Sequence, residues 1–289
     1  MTVGTYDGLH LGHQALIARQ TAHAARLALP AVLLTFEPMP REYFAPDDPP
    51  ARLTTLRERL AILASLGLNY TWLLRFGERL RNLSADGFAE FLARDVRARL
   101  VVVGHDFRFG KHGAASASEL AVAGRRLGFA VEVLPPVTQD GERISSSAVR
   151  AALLRADFAG AQRLLGRPYS MRARVMRGTR LGRELGFPTA NLPLRRLRAP
   201  LAGIFAVRVH GAGAGPLPGV ASLGTRPTVG GTEALLEAHV FDFSADLYGR
   251  EIEVEFAAKL RDEERFATLA ALSAQMQRDA QQARRILGA

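Results

Sequence analysis

The first half of the chain alternates short apolar runs with longer amphipathic stretches. Runs rich in Val, Leu and Phe predict buried strands at 31–36, 70–76, 100–104 and 129–135. Between them, apolar positions recur with helical spacing near 12–28, 55–66, 85–98 and 116–127. Strands that alternate with helices predict an α/β domain with a parallel sheet. In such a sheet, ligands bind beyond the carboxyl ends of the strands.

The second half of the chain has a different pattern. Strand-like segments follow one another closely from about 170 to 256, and their turns are rich in Gly and Pro. This pattern predicts an antiparallel β-barrel or sandwich, in which GAGAG at 211–215 forms a hairpin loop. We expect a final amphipathic helix at 268–287, whose apolar side carries Leu269, Leu272, Met276 and Ile286.

The two halves are joined by a short helical region and a break. Two helices are expected between 144 and 165, and the segment LGRPYS at 165–170 contains a Gly and a Pro that interrupt the pattern. The predicted domains are therefore 1–166 and 167–289.

Composition removes several classes of protein. The chain has 289 residues, 48% of them hydrophobic and 23% charged, which is typical of a folded soluble protein with two domains. The absence of cysteine excludes disulfide frameworks, thiolate metal sites and cysteine nucleophiles. No apolar run approaches the ~18 residues of a membrane span. The opening residues lack the pattern of a signal peptide, so we expect a cytoplasmic protein with no membrane partner.

The net charge of +10 favours anionic partners, either phosphorylated small molecules or nucleic acid. Only two of the 38 basic residues are lysines, and the arginines are scattered through helical patterns, often close to acids. We favour a solvated surface with sites for small anions. A basic nucleic-acid-binding protein remains the alternative, although the sequence has no recognisable stacking platform or recognition helix.

The strongest local motif is GTYDGLHLGHQALI at 4–17, where a strand end leads into a helical pattern. His10 and His13 lie three residues apart, so they share a face at the start of the helix. Gly12 between them lets a ligand approach the backbone, and a helix N-terminus favours an anion. Such a site suits the triphosphate of ATP. The imidazoles can donate hydrogen bonds to charge that develops during attack at the α-phosphorus.

This segment resembles the HxGH signature of nucleotidyltransferases, and in its full form the first motif of prokaryotic bifunctional riboflavin kinase/FAD synthetases. The resemblance continues in order along nearly the whole chain, through TFEPMPREYF (35–44), VVGHDFRFGKHG (102–113), ISSSAVR (144–150), GRELGFPTANL (182–192), GVASLGTRPT (219–228) and LLEAHVFDFSADLYGREIEVEF (235–256). It implies a Rossmann-like nucleotidyltransferase domain followed by a riboflavin-kinase β-barrel with a terminal helix. Met39 and His112 depart from the family, which often has His and Arg there.

By resemblance, the first domain converts FMN and ATP into FAD and pyrophosphate. The nucleophile is a phosphate that is already an anion, so the site must align the substrates and neutralise charge. The family pattern implies catalytic roles for His10, His13 and Arg150, nucleotide binding by Gly4, Asp7, Gly8, Gly12 and Ser146, and flavin contacts by Asp106 and Phe107. Ser146 and Arg150 are four residues apart and share a helix face. A helix N-cap at Ser145–Ser147 is compatible with this role.

By resemblance, the second domain phosphorylates riboflavin with MgATP. The ribityl hydroxyl is a poor nucleophile, so a base within hydrogen-bond reach helps. The resemblance assigns this role to Glu237, which strand alternation places on the face of His239 and opposite Leu236 and Ala238. Without the resemblance, Glu237 is more simply interpreted as an exposed strand residue.

The PTAN segment is the other part of the implied kinase site. Thr189 and Asn191 offer oxygen ligands for Mg²⁺. The preceding loop is kept open for ATP phosphates by Gly178, Gly182 and Gly186. Arg261 is a weaker candidate for flavin binding, and PTAN taken alone is typical of an ordinary turn.

The sequence also supports expectations about the burial of residues outside these motifs and about an alternative activity. Arg195, Arg196 and Arg198 follow PTAN and are expected to be solvated, while Trp72 is expected in the core. A single-activity nucleotidyltransferase whose barrel only binds ligand is the second alternative. The oligomeric state is left open.

Overall fold

A computed structural model describes residues 1–178, 182, 186–228 and 231–289, with only the backbone of 226–228 and 231–233. Packing divides the chain into two compact units. The first contains Met1–Pro50 and Leu56–Ser146, and the second contains Ala51–Thr55 and Ser147–Ala289. The domain boundary at 166 stays a prediction from the linker pattern.

The first unit is an α/β domain built on a five-stranded parallel sheet. Its strands are β1 (Thr2–Val3), β2 (Val32–Glu37), β3 (Tyr70–Arg75), β4 (Leu100–Gly104) and β7 (Ala130–Leu134), and they lie in the order β3-β2-β1-β4-β7. Two small hairpins add β5 (Arg108–Phe109) with β6 (Ala115–Ser116), and β8 (Thr138–Gln139) with β9 (Glu142–Arg143). The predicted parallel sheet is confirmed.

The helices of the first unit are α1 (Leu11–Arg26), α2 (Pro40–Phe44), α3 (Leu56–Ala64), α4 (Glu78–Arg81), α5 (Ala85–Arg94) and α6 (Ala117–Leu127), with a 3₁₀ turn at Lys111–Gly113. Four of them, α1, α3, α5 and α6, match the predicted segments closely, whereas two short helices, α2 and α4, have no predicted counterpart. The core between α5, α6 and the sheet contains Leu34, Phe88, Leu92, Val101 and Leu120.

The prediction that Trp72 belongs to the core is wrong. Its side chain is 40% exposed, since β3 is an edge strand of the sheet. The indole keeps a ring contact with Phe91, at 5.8 Å between centroids.

The second unit is built on a six-stranded antiparallel sheet. Its strands are β10 (Ser170–Arg174), β11 (Ala190–Pro193), β12 (Gly203–His210), β13 (Leu217–Thr228), β14 (Gly231–Val240) and β15 (Glu251–Arg261), and they lie in the order β10-β15-β12-β13-β14-β11. The two edges approach each other where Met176, just beyond β10, donates its N–H to the Asn191 carbonyl of β11 at 2.8 Å. This contact nearly closes the sheet, so the predicted barrel is confirmed.

Three helices accompany the barrel: α7 (Ser146–Leu154), whose first residue belongs to the first unit, α8 (Phe158–Leu165) and α9 (Leu269–Leu287). Helix α9 presents a stripe of Leu272, Met276, Asp279 and Ala283, whose spacing follows one helix face. Leu272, Met276 and Asp279 line a cavity, and Ala283 is fully buried. The expected apolar side is therefore partly wrong. Leu269 is 58% exposed and Ile286 is also exposed, and both lie at the ends of the helix, whereas the polar Asp279 occupies a buried position on the stripe.

The expectation that Arg196 is solvated is also wrong. Arg196 is 3% exposed, and its Nη1 donates to the carbonyls of Arg52 at 2.7 Å and Leu53 at 2.8 Å. These carbonyls belong to the segment Ala51–Thr55, which packs with the second unit. Backbone carbonyls outside regular structure need donors when they are buried, and Arg196 supplies them.

Within the described part of the chain, every helix is too short or too polar to span a bilayer.

Candidate functional site

The loop between β1 and α1 brings the two motif histidines of the first unit together. Tyr6, Gly8 and Leu9 have positive φ angles of 53°, 80° and 45°. Such angles are uncommon for residues with a side chain and are concentrated at functional sites. The turn delivers His10 to the N-cap position of α1, where its Nδ1 accepts a hydrogen bond from the His13 N–H at 3.3 Å.

The imidazole rings of His10 and His13 stack, with centroids 3.7 Å apart and an angle of 18° between their planes. A Cβ at Gly12 would lie 3.1 Å from Nδ1 of His10, so only glycine leaves the ring undisturbed. Because Nδ1 of His10 accepts a hydrogen bond, the neutral ring carries its hydrogen on Nε2. His10 can therefore cap the helix and donate from its other nitrogen at the same time.

His13 packs its ring against the edge of the Tyr6 ring, at 5.0 Å between centroids. Its Nδ1 is shielded from solvent and has no hydrogen-bond partner within the described residues. Burial, and secondarily the proximity of His10, hold the pKa of His13 well below its usual 6.5. The ring is therefore neutral at pH 7. It can donate one hydrogen bond to an anion while the ring itself carries no charge.

This depressed pKa predicts acid sensitivity of the first unit. Below pH 6.5 the unfolded chain protonates His13 while the folded chain does not, so the free energy of unfolding falls with decreasing pH. The slope assigned to His13 is up to about 1.4 kcal/mol per pH unit. Urea unfolding followed through Trp72, the single tryptophan of the chain, reports on this unit. His13→Gln should remove the extra slope between pH 6.5 and 5. The exposed His105→Gln should retain it, and equal slopes in both variants would contradict the expectation.

The other residues of the predicted nucleotide site are divided between the two units: Asp7, Ser146 and Gly4 belong to the first, and Arg150 belongs to the second. Asp7 is buried, and its carbonyl accepts a hydrogen bond from Oγ of Ser146 at 2.9 Å, so the start of α7 lies at the histidine loop. A Cβ at Gly4 would lie 3.1 Å from the Tyr6 ring. Arg150 belongs to the second unit, where its Nε donates to the Ala51 carbonyl at 2.6 Å. The predicted contact of Arg150 with ATP stays a prediction.

Sequence reasoning missed Arg59, whose side chain donates a hydrogen bond to the backbone of the histidine loop. Its side chain is fully buried, and it donates to the Thr5 carbonyl at 2.7 Å and to Oε2 of Glu37 at 2.9 Å. It lies in the helical pattern at 55–66, which favours a solvated arginine. No local signal separates it from its exposed neighbours.

A second feature of the first unit is an apolar cavity of about 200 Å³. Phe107 and Phe109 lie in its lining with nearly parallel rings, 5.7 Å apart. Sequence reasoning did not identify the other aromatic and basic residues of the lining, which include Phe36, Phe44, Phe76, Phe88 and Arg81. His112 also lies in the lining, whereas Asp106 does not and pairs with Arg143 instead.

In the second unit, four strands place a row of residues side by side. Ile204 of β12 pairs with Ser222 of β13, Ser222 with Glu237 of β14, and Glu237 with Asn191 of β11. Residues directly opposite each other on neighbouring strands share a face of the sheet. Ile204, Ser222 and Glu237 line a cavity of about 240 Å³.

Strand alternation along β14 behaves as predicted. Glu237 and His239 both line this cavity, whereas Leu236 and Ala238 are buried in the core of the barrel. The simpler interpretation of Glu237 as a residue on an open strand surface is therefore wrong. The carboxylate lies in a cleft that carries other predicted site residues.

The PTAN segment lies at the same cavity. Thr189 lines it, and Asn191, buried beside Glu237, donates from Nδ2 to the Thr189 carbonyl at 3.4 Å. The glycines before PTAN make room for these residues. A Cβ at Gly178 would lie 2.4 Å from Oδ1 of Asn191, and one at Gly182 would lie 2.4 Å from the Phe187 carbonyl oxygen. Gly186 adopts a positive φ of 80°.

The far wall of the cavity combines β15 with α9. Arg261 forms a bidentate ion pair with Asp279, with Nη2 to Oδ2 at 2.7 Å and Nε to Oδ1 at 3.1 Å. Leu272 and Met276 provide apolar surface on the same helix. Sequence reasoning found Arg261 but missed Asp279, whose partner lies 18 positions earlier in the chain. Among the residues that the structure describes, no cluster of three or more His, Asp and Glu side chains is placed to hold a metal.

Comparison with known proteins finds two family models that match successive parts of the chain. The family model described as FAD synthetase matches residues 1–148, and the one described as riboflavin kinase matches residues 165–287. The bifunctional riboflavin kinase/FMN adenylyltransferase of Escherichia coli (strain K12) is 45% identical over 289 residues, which cover 100% of this chain and 92% of that protein. The protein of the same description from Pseudomonas fluorescens is 45% identical over 98% of this chain and 91% of its own length.

A solved structure shares the architecture across both units. The crystal structure of a protein described as a macrolide-efflux protein from Streptococcus pneumoniae has a TM-score of 0.77 and 32% identity, and covers 96% of this chain and 91% of that chain. That description concerns the other protein, whereas both family models and the curated relatives agree on two enzymatic activities. The chain therefore belongs to the family of bifunctional riboflavin kinase/FMN adenylyltransferases.

Proposed function

We propose that the cavity beside Glu237 is where riboflavin is phosphorylated, and that the histidine loop of the first unit is where FMN is adenylylated. What supports the first assignment most directly is the placement of Glu237 directly opposite Asn191, in a cavity that Thr189 also lines. A carboxylate and a threonine then share one cleft, and a buried amide lies directly beside the carboxylate. That combination can deprotonate an alcohol and hold a nucleoside triphosphate.

In the kinase reaction, Glu237 accepts the proton of the terminal ribityl hydroxyl as the hydroxyl oxygen bonds to the γ-phosphorus of ATP. The bond between that phosphorus and the bridging oxygen breaks, and ADP leaves. The wall formed by Leu272, Met276 and Ile204 offers apolar surface to the flavin ring. Arg261, held by Asp279, provides a fixed cationic edge to the same cavity.

The donor set at PTAN fits Mg²⁺, because the Thr189 hydroxyl and the Asn191 amide both offer oxygen, the ligand atom that Mg²⁺ prefers. The hydrogen bond from Nδ2 of Asn191 to the Thr189 carbonyl turns the amide nitrogen to that carbonyl, which leaves Oδ1 as the metal ligand. When bound there, Mg²⁺ would neutralise phosphate charge as the phosphoryl group moves. Thr189 and Asn191 would hold the cation, and Glu237 would remain the proton acceptor.

In the adenylyltransferase reaction, a phosphate oxygen of FMN attacks the α-phosphorus of ATP and pyrophosphate leaves. Neutral His10 and His13 donate hydrogen bonds to the charge that accumulates on the phosphate oxygens. The aromatic cavity around Phe107 and Phe109 suits the planar flavin ring, since aromatic faces stack on one another. Gly8, Gly12 and Ser146 shape the loop that the triphosphate approaches.

The proposal is tested with purified full-length protein, riboflavin, ATP and MgCl₂, with products separated by chromatography over time. FMN should appear first and FAD later, and chelation of Mg²⁺ by EDTA should stop the formation of FMN. FMN without FAD would contradict the assignment of the first unit. FAD from supplied FMN, but no FMN from riboflavin, would favour a single-activity nucleotidyltransferase. Small molecules suffice as partners in this scheme, and location in the cytoplasm stays a prediction.

Gly178→Ala should impair the kinase selectively. Its Cβ would meet the Asn191 side chain at 2.4 to 2.5 Å, so the amide must leave its observed position. We expect kcat/KM for riboflavin phosphorylation to fall about 10-fold, the effect of a small displacement in a site that depends on alignment. Gly215→Ala is the control, since nothing lies within 4 Å of its added Cβ. Equal kinase activity in both variants would contradict a requirement for Asn191 in its observed position.

A further inference from the structure

His239 lies two residues beyond Glu237 on the same face of β14, and lines the same cavity. Its Nδ1 is 2.9 Å from the carbonyl oxygen of Pro188, the residue before Thr189. A carbonyl oxygen can only accept, so Nδ1 of His239 carries the hydrogen and donates it. This bond connects β14 to the turn that leads into β11.

The bond lies just past the point where the strand pairing stops. The ladder between β11 and β14 runs from Pro193 to Ala190, and its last pair is Ala190 with Ala238. Continued in the same register, the next pair would be Thr189 with His239. The side chain of His239 therefore extends the attachment to Pro188, beyond the last paired backbone residue.

Two aromatic neighbours restrict the orientation of the His239 ring. Phe187 contacts it edge-on at 5.2 Å and Phe241 at 5.8 Å between centroids. Phe241 is in turn covered by the guanidinium of Arg284, 4.3 Å from its centroid, and Arg284 pairs with Asp242 through two hydrogen bonds of 2.9 Å. The His239 ring is therefore held in one orientation by Phe187 and Phe241, and Arg284 of α9 in turn packs on Phe241.

We propose that His239 is a positioning residue of the kinase site, which holds the Pro188 carbonyl so that the Thr189 hydroxyl faces the cavity beside Asn191. The inference rests on the proposed function, because it matters for catalysis only if Thr189 helps to bind MgATP. Within that scheme, His239 acts through the turn and touches neither the transferred phosphoryl group nor the flavin.

Three substitutions separate this role from direct contact with substrate. The side-chain nitrogen of Asn occupies roughly the place of Nδ1, that of Gln roughly the place of Nε2, and Leu has neither donor. A positioning role predicts that His239→Asn retains activity, whereas His239→Gln and His239→Leu do not. Loss of one such hydrogen bond corresponds to about a 3- to 10-fold effect. We therefore expect KM for MgATP to rise by about that factor in the Gln and Leu variants, with KM for riboflavin unchanged.

A second measurement needs neither substrate nor metal. Hydrogen exchange of the amides in residues 186–190 should be faster in His239→Leu and His239→Gln than in the wild type or His239→Asn. In ¹⁵N-histidine NMR spectra, the signal that disappears in His239→Asn should show the Nδ1–H tautomer. Thermal unfolding of each variant shows whether the barrel is folded.

Different outcomes overturn different claims. Rescue by Gln but not by Asn would assign the contact to Nε2 and overturn the positioning role. Unchanged exchange and kinetics in the Leu variant would overturn it as well. If the wild type formed no FMN, the proposed function would fail, while the exchange and NMR measurements would still decide whether His239 holds the Pro188 carbonyl.

Discussion

Glu237→Gln should lower the formation of FMN from riboflavin by about 10²- to 10⁴-fold, the range typical of removing a general base. Gln is nearly isosteric with Glu, so the paired strands around Asn191 and Ser222 should persist. The substitution removes only the ability to accept a proton from the ribityl hydroxyl. Initial rates with saturating MgATP, measured by separation of FMN from riboflavin, test the expectation.

The bifunctional chain provides an internal control for this variant. FAD formation from supplied FMN belongs to the other unit, where we propose that it uses the histidine loop, so it should continue at the wild-type rate. Glu264→Gln is the matched substitution, since Glu264 is an exposed acid near the end of β15 that does not line the cavity. Kinase activity in Glu237→Gln equal to that in Glu264→Gln would exclude Glu237 as the base.

The elements of the fold could be predicted because each carries its own periodicity. The apolar run at 100–104 predicts a strand that coincides with β4, and the helical pattern at 116–127 nearly coincides with α6. The failure at Trp72 has a topological cause. An apolar run looks the same in a central strand and in an edge strand, and the order of strands in the sheet decides which residues are covered.

The parts of the sites that could be predicted are those contained in contiguous motifs. His10 with His13, and Thr189 with Asn191, are close in sequence, and local turns bring them together. Arg59, Arg196 and Asp279 were missed because each is a charged residue buried against a partner far away in the chain. Charged residues are mostly exposed, so a sequence without its contacts favours the wrong interpretation for all three.

The aromatic cavity of the first unit shows the same limit. Phe44, Phe76 and Phe107 belong to separate elements, and none has a spacing that points to a shared ligand. Phe36 lies in β2 and Phe76 directly follows β3, and both reach the cavity because the carboxyl ends of parallel strands meet at one edge of the sheet. Phe44 and Phe88 are brought there by α2 and α5. The sequence therefore predicts a ligand site at this edge of the sheet, but contains little information about which residues line the cavity there.

His10→Asn should lower FAD formation from supplied FMN by about 10²- to 10³-fold, the effect of removing one preorganised donor from a site that stabilises developing negative charge. Asn is chosen because it is among the best N-cap residues, so its Oδ1 can still accept from the His13 N–H and preserve the start of α1. The capping role of His10 is thereby separated from its role as an Nε2 donor.

Three readouts make this expectation decisive. The free energy of unfolding followed through Trp72 should change by less than about 1 kcal/mol, because the cap is retained. FMN formation from riboflavin should be unaffected, since it takes place in the second unit. His23→Asn, a substitution on the same helix away from the stacked pair, should leave FAD formation unchanged. If His10→Asn retained FAD synthesis, His10 would serve the fold as a helix cap alone, and His13 would have to supply the hydrogen bonds to the α-phosphate by itself.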